Sequence, residues 1–538
     1  MKRWSVVILG LIGGLWACAA PAGGLPPAGA AQAQRLLQEL AARQLRVVAL
    51  CELAGKAVGA LPGEARRLYA LAWAAARALD DPRARELARE LAGRGGAGRS
   101  WARSLEVRLR AAWPLRLVAQ GVLGLDRELA VRALELGLAR ARANPSAEAR
   151  GRDLAGLAVV WARLDLARAR GVVEEVGEPL WRAWAWRKLA RLSQSRRDLE
   201  QAVRAALGVR DKALGAVSLA RAAALAWGWE PAWGRRLFSR AWELAGAVAD
   251  RQRRVWTRGK VAALVARAAP RAALAAAEEL AGGGAEGAGF AARRLAALEL
   301  LGRSREAGRR ALLAAWRSAG ALAGGLARVR AMSLLARDAA QSAPELSVRI
   351  LRAIPRENRL LRTEAEAAMV LGAAGRDLEG AIARAWRLRD RFLRLVVLVR
   401  LAGILVRRDR LRGRALYRRV LAEMQGWGGV ALPLAVLSRA WPRLEAEAAV
   451  RLASGLAPAG RKVRALVGLA RRLHRRGEVA AAEWCLQLAV NTIKRMGRQQ
   501  ILDKVGLLGD MGREWSAIDL DRARGFFRLG AELSEGLG

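Results

Sequence analysis

Few residues in this chain could do acid–base or nucleophilic chemistry. The single histidine, His474, lies inside the run Arg471-Arg472-Leu473-His474-Arg475-Arg476. Any Ser–His–Asp or Cys–His arrangement would have to use it, and no neighbouring pattern supports one. The three cysteines, Cys18, Cys51 and Cys485, stand far apart, and no His/Cys spacing suits a metal ion. A P-loop and a dinucleotide fingerprint are missing from the sequence. Carboxylates occur in pairs, Glu174-Glu175 and Glu278-Glu279, but adjacent residues on a helix face apart. Both pairs read as solvated faces, with carboxylate-based glycan cleavage kept as a lesser alternative. The sequence therefore predicts no catalytic residue, no metal ligand and no cofactor.

The chemistry that is abundant is the chemistry of binding. Lys and Arg total 94 against 49 Asp and Glu, a formal charge of +45, and only eight of the 94 are lysine. A field this positive attracts polyanions such as acidic lipid headgroups, anionic cell-wall polymers, nucleic acid or acidic proteins. The competing reading is compositional, because rich Ala, Arg, Gly, Leu and Trp with three Asn is also what a GC-rich genome writes. No zinc-finger spacing, RNA-recognition signature or basic zipper accompanies the arginines. Twenty tryptophans against five Phe and two Tyr form the second departure. Trp181, Trp184 and Trp186 cluster in one segment, and 181 and 184 share a helical face. Trp interleaved with Arg can grip peptides or glycans through cation–π contacts, although Trp at helical spacing also serves as core.

These side chains must be positioned by helices. Ala, Leu, Arg and Glu dominate, all strong helix formers, and no run alternates with the period of a strand. Leu346, Leu378, Leu411, Leu444 and Val479 fall 32, 33, 33 and 35 apart. Each interval holds two amphipathic stretches, too little to bury its own apolar face, so neighbours must stack. Upstream, Leu166, Leu199, Trp233, Ala272 and Glu306 continue the beat less regularly. Asp or Pro recurs where first helices open, at Asp81-Pro82, Pro231, Pro270, Pro344, Asp377 and Pro442, as suits a helix N-terminus. Glycine clusters at 93–98, 282–289 and 324–325 read as inter-helix loops, the second also as a hinge. The expected fold is all-α, a right-handed solenoid of about 11–13 helix-pair repeats of roughly 33–40 residues. Its irregular lobe spans 35–320 and its regular lobe 321–538. On the first helices, Arg384, Arg387, Arg418 and Arg451 are candidates to line a groove, with Trp181 and Trp184 as further binding candidates.

The N-terminus carries an address. Lys2-Arg3 precede an apolar stretch from Trp4 to Ala17, too short for a spanning helix and typical of a signal peptide. Leu15-Trp16-Ala17-Cys18 resembles the lipobox of bacterial lipoproteins, and that resemblance implies cleavage after residue 17, lipidation of Cys18 and a flexible tether over 18–34. Trp16 is a bulky departure from the motif. The alternative is cleavage after Ala33 at Ala31-Gln32-Ala33, releasing a soluble exported protein. Several acyl chains on one cysteine hold a membrane firmly where one does not. Cys51 and Cys485 read as two buried structural thiols, since a disulfide between them would need the ends of the array to meet.

The unit length resembles that of tetratricopeptide repeats, and the helical pairing resembles HEAT repeats, over roughly Asp80 to Gly512. The Gly, Tyr and closing Pro of the tetratricopeptide pattern are not kept in register. The resemblance implies scaffolding of a protein or peptide on one face of the array. The expected function is an envelope-anchored scaffold for an acidic protein or peptide. Charge-driven binding of anionic polymers or membrane surface is the alternative, and export argues against nucleic acid as the partner.

Overall fold

The computed structural model describes residues 27–424, 450, 453–454 and 459–536, without positions 94–95, 283–285, 323–324, 356, 376, 476, 498–499 and 517. The signal segment, Cys18, Pro442 and Arg451 lie outside the described residues. Among those described, every regular element is helical, and successive helices pack in pairs, as an all-α repeat array requires.

Two compact units divide the chain. Unit 1 holds residues 1–192 and 473–538, and unit 2 holds 193–472. The chain therefore leaves unit 1 and returns to it. These units follow packing, whereas the expected boundary at 320/321 followed repeat regularity.

Unit 1 opens with α1 Pro27–Ala57, α2 Pro62–Arg77, α3 Pro82–Ala92, α4 Gly96–Leu109 and α5 Trp113–Val122. It continues with α6 Arg127–Arg142, α7 Ala147–Trp161, α8 Leu166–Glu174 and α9 Pro179–Ser193. Unit 2 carries α10 Arg196–Leu207, α11 Lys212–Trp229, α12 Pro231–Gly246, α13 Arg251–Val265 and α14 Pro270–Gly282. After a 3₁₀ turn at Glu286–Gly289 come α15 Phe290–Leu301, α16 Arg305–Gly320, α17 Gly325–Ser342, α18 Pro344–Ala353 and α19 Arg359–Ala373. Then follow α20 Leu378–Trp386, α21 Arg391–Arg408, α22 Arg410–Met424 and α23 Ala459–His474. The chain returns to unit 1 for α24 Val479–Arg495, α25 Ile501–Trp515 and α26 Leu520–Glu535.

Helix starts fall where the sequence marks them. Proline stands at the first position of α2, α3, α9, α12, α14 and α18, where its missing N–H costs nothing. The Asp126, Asp165, Asp250, Asp377 and Asp390 carboxylates accept from the backbone N–H three residues on. Each such cap is worth about 1 kcal/mol.

Two rules hold the pairs together. Most first helices of a pair carry a small residue at their fourth position, fully buried at Ala130, Ala169, Ala273, Ser347, Ala381, Ala482 and Ala523, while α10 has Leu199 there. At Gly234 and Gly308 the fit is closer still. A Cβ built on Gly234 would stand 2.7 Å from Trp227 Cα, and one on Gly308 2.8 Å from Leu301 Cα. Most second helices carry arginine at their fourth position, and α23 and α25 carry Lys462 and Lys504 there. Arg150, Arg182, Arg254, Arg328, Arg362 and Arg394 donate to the carbonyls of Asn144, Val176, Val248, Leu322, Ile354 and Leu388. Each acceptor lies where the preceding helix has ended. A cation there satisfies orphan carbonyls and offsets the helix dipole. Arg116 and Arg293 hold the same position in α5 and α15, while α11 has Gly215.

The core of each unit is alanine and leucine. In unit 1, Ala33, Leu37 and Leu40 of α1 pack with Leu87, Leu91 and Leu105. The tether expected over 18–34 is thus helical from Pro27 onward, and the Ala31-Gln32-Ala33 segment lies inside α1 with Ala33 buried. Helix α4 likewise begins at Gly96, inside the stretch expected as a loop.

Helix α1 meets α25 and α26 within unit 1. Lys56 Nζ near the end of α1 donates to Gly506 O at 2.5 Å and pairs with Glu52 at 3.0 Å and Asp510 at 3.1 Å. Cβ atoms on Gly509 and Gly530 would stand 2.8 Å from Lys56 Cδ and 3.0 Å from Leu53 Cδ2. Glycine at these two places lets α1 seat directly on α25 and α26. Cys51 and Cys485 are both buried with reduced thiols. Burial pushes each thiol up to about 12.

Candidate binding site

The described site residues fall in both units. Trp181 and Trp184 lie on α9 in unit 1, half-buried and edge to face, with centroids 6.3 Å apart. The Lys188 ammonium stands 5.9 Å from the Trp184 ring. Arg384, Arg387 and Arg418 are exposed in unit 2, but only Arg384 and Arg387 share a cleft.

That cleft of about 410 Å³ lies among α17, α18, α19 and α20. Its floor is apolar, formed by Pro344, Val348, Met369, Val370 and Leu388. The spacing of 348 from 344 and of 370 from 366 keeps each pair on one helical face. Arg384 sits in the last turn of α20 and Arg387 caps it, so both guanidiniums project at the rim. Arg384 pairs with Asp377 at 3.0 Å. Glu366, also at the rim, is held by Arg362 at 3.3 Å. Among the described residues Arg387 meets no carboxylate. The cleft therefore offers an apolar surface for one or two apolar side chains, with cationic groups beside it.

Much of the remaining charge is committed to the repeat itself. Arg142 grips Glu175 with two bonds of 2.7 Å, and Arg168 holds Glu135 at 3.2 Å, each pair 33 residues apart. The Arg142 bonds hold the Glu175 carboxyl below the usual carboxylate range. Arg412 pairs with Glu379 and Arg522 with Glu483, both at 2.8 Å. Arg349 stacks over Trp316 at 5.6 Å and Arg419 over Trp386 at 4.5 Å, again 33 residues apart. These exposed contacts are worth about 0–1 kcal/mol each, yet they recur at the period of the repeat. Glu279 of the second carboxylate pair accepts from Trp242 Nε1 at 3.0 Å and faces Arg258 at 3.4 Å. Both carboxylate pairs thus contribute to inter-helix contacts. His474 stands edge-on to Trp515, with centroids 6.0 Å apart.

The fourth-position arginines escape a search for patches because they are spread along the chain. Their signal is an arginine four residues after a capping or loop residue, recurring every 32 to 39 positions when Gly215 fills its place. Among the described residues no group of three or more His, Cys, Asp or Glu could hold a metal ion. No described helix is long and apolar enough to cross a membrane.

No protein-family model and no curated protein matches this chain. Among solved structures, Ton1535 from Thermococcus onnurineus NA1 is 16% identical, covering 63% of this chain and 99% of that one, with a TM-score of 0.23. A circular tandem repeat protein with novel repeat topology and enhanced subunit contact surfaces is 19% identical, covering 85% of this chain and 98% of that one, with a TM-score of 0.22. The all-α repeat architecture accordingly rests on this chain's own helix pairing.

Proposed function

We propose that this protein is a helical-repeat scaffold, tethered at the cell envelope through Cys18, that captures an acidic protein or peptide. The observation that supports capture is the cleft of α17 to α20, which joins an apolar floor to the Arg384 and Arg387 guanidiniums. An extended or helical segment with one or two apolar anchors and flanking Asp or Glu fits that chemistry. The tether reading rests on the placement of Cys18 directly after the apolar segment.

Binding is tested with a fluorescent acidic peptide carrying one Leu anchor, against the same peptide with Asn in place of Leu. The scaffold reading expects Leu-dependent binding that survives 0.5 M salt and weakens in Arg384→Gln/Arg387→Gln. Binding that ignores the anchor and collapses with salt is the signature of charge alone, a reading favoured by the +45 balance. The anchor is tested by fractionating the wild type and Cys18→Ala and reading the mature N-terminus by mass spectrometry. A protein that begins at Gln34, or washes off membranes with salt, refutes the lipid tether.

A further inference from the structure

A second cleft in unit 2 has a different charge balance. It measures about 700 Å³ and lies where α12, α14 and α16 begin. Trp227, Pro270 and Leu300 give it apolar walls, and Arg235, Arg271 and Arg303 stand around them. No carboxylate lines it. Arg303 holds Glu299 at 3.2 Å on the exposed surface of α15. Among the described residues neither Arg235 nor Arg271 has an ion pair. In the Arg384 cleft, by contrast, acids stand beside the arginines.

The volume falls in the range of small-ligand sites. A guanidinium pairs best with a planar oxyanion edge, through two parallel bonds. With Arg303 paired to Glu299, the Arg235 and Arg271 guanidiniums still overmatch a single carboxylate and match a dianion. The Trp227, Pro270 and Leu300 walls ask in turn for a flat apolar group. We propose that this cleft is a binding site for a phosphate monoester carrying an apolar, preferably aromatic, body.

The test is calorimetric titration of the full chain with 1-naphthyl phosphate in 0.5 M salt, where diffuse attraction to the basic surface is screened. The expected result is one site per chain, with naphthyl phosphate at least about tenfold tighter than inorganic phosphate, the apolar walls supplying the difference. Arg235→Gln/Arg271→Gln should lose about tenfold or more, as removal of charge-assisted bonds predicts. The charge-matched pair Arg210→Gln/Arg221→Gln, on exposed residues outside the cleft, should bind as the wild type does. Competition with phosphatidic acid vesicles identifies the source of the monoester. Displacement points to a lipid headgroup and persistence to a soluble compound, and either outcome keeps the site. Absence of binding, equal losses in the two double variants, or many sites per chain would overturn the proposal. None of these readouts depends on the Arg384 cleft or on Cys18.

Discussion

Gly234→Ala should destabilise unit 2, against the usual effect of replacing a helical glycine. Alanine in a helix interior gains about 0.5–1 kcal/mol over glycine. At Gly234 the added methyl would stand 2.7 Å from Trp227 Cα, 2.8 Å from its N and 2.9 Å from its Cβ. Ordinary contact begins near 3.4 Å, so α11 and α12 must part by about 0.7 Å. The obstacle is mostly backbone, which no rotamer change removes. Overpacking of this kind costs about 1–3 kcal/mol, leaving a net loss of roughly 0–2.5 kcal/mol after the helix gain. Gly228→Ala, six residues away in α11, is the control, because nothing lies within 4 Å of its added methyl. Urea unfolding followed by circular dichroism should place the Gly234→Ala midpoint below wild type and the Gly228→Ala midpoint at or above it. If both variants are stabilised alike, the fourth-position packing rule is wrong.

Arg254→Gln removes the donor to Val248 O at 3.0 Å and Ala249 O at 3.3 Å, and should lower unit 2 stability by about 1–2 kcal/mol in the same assay. Cys51 and Cys485, with thiols raised to about 12 by burial, should resist iodoacetamide at pH 8 in folded Cys18→Ala and react in denaturant. Rapid labelling of the folded protein would contradict the buried-thiol description. Asp153 is buried and accepts from Ala112 N at 2.9 Å. Burial raises its carboxyl above the ordinary value, and the Arg116 and Arg152 guanidiniums oppose that rise only in part. A carboxyl raised on folding costs stability as pH climbs from its unfolded value through its folded one. The unit 1 midpoint should therefore fall across that window, and Asp153→Asn should remove this part of the slope. An unchanged slope in Asp153→Asn refutes the assignment.

The local grammar of the fold was legible in the sequence. Asp126, Asp377, Pro231 and Pro344 mark helix starts through backbone chemistry acting within one turn. The repeat was read from its leucines, whereas its firmest marks are the fourth residues, small in most first helices and arginine in most second ones. Arg182 and Arg394 look like surface cations until the carbonyls of Val176 and Leu388 are placed beside them. The candidate groove was legible in part. Arg384 and Arg387 share a cleft because three residues separate them at one helix end, while Arg418 stands on another helix, exposed and outside that cleft. The meeting of Leu53 and Lys56 with Gly509 and Gly530 left no readable sign, because glycines in a helix do not name the distant partner they admit.

The seating of α1 on α25 and α26 has a consequence in time. Lys56 and its acceptor Gly506 are 450 residues apart, so at about 5–20 residues per second the ribosome delivers the acceptor roughly 20–90 s after the donor. All of unit 2 is synthesised within that interval. Closing so long a loop adds little entropy beyond a shorter one, yet contacts this distant form late. Helix α1 is thus locked only after α25 and α26 have been made, and unit 1 stays open while all of unit 2 is synthesised.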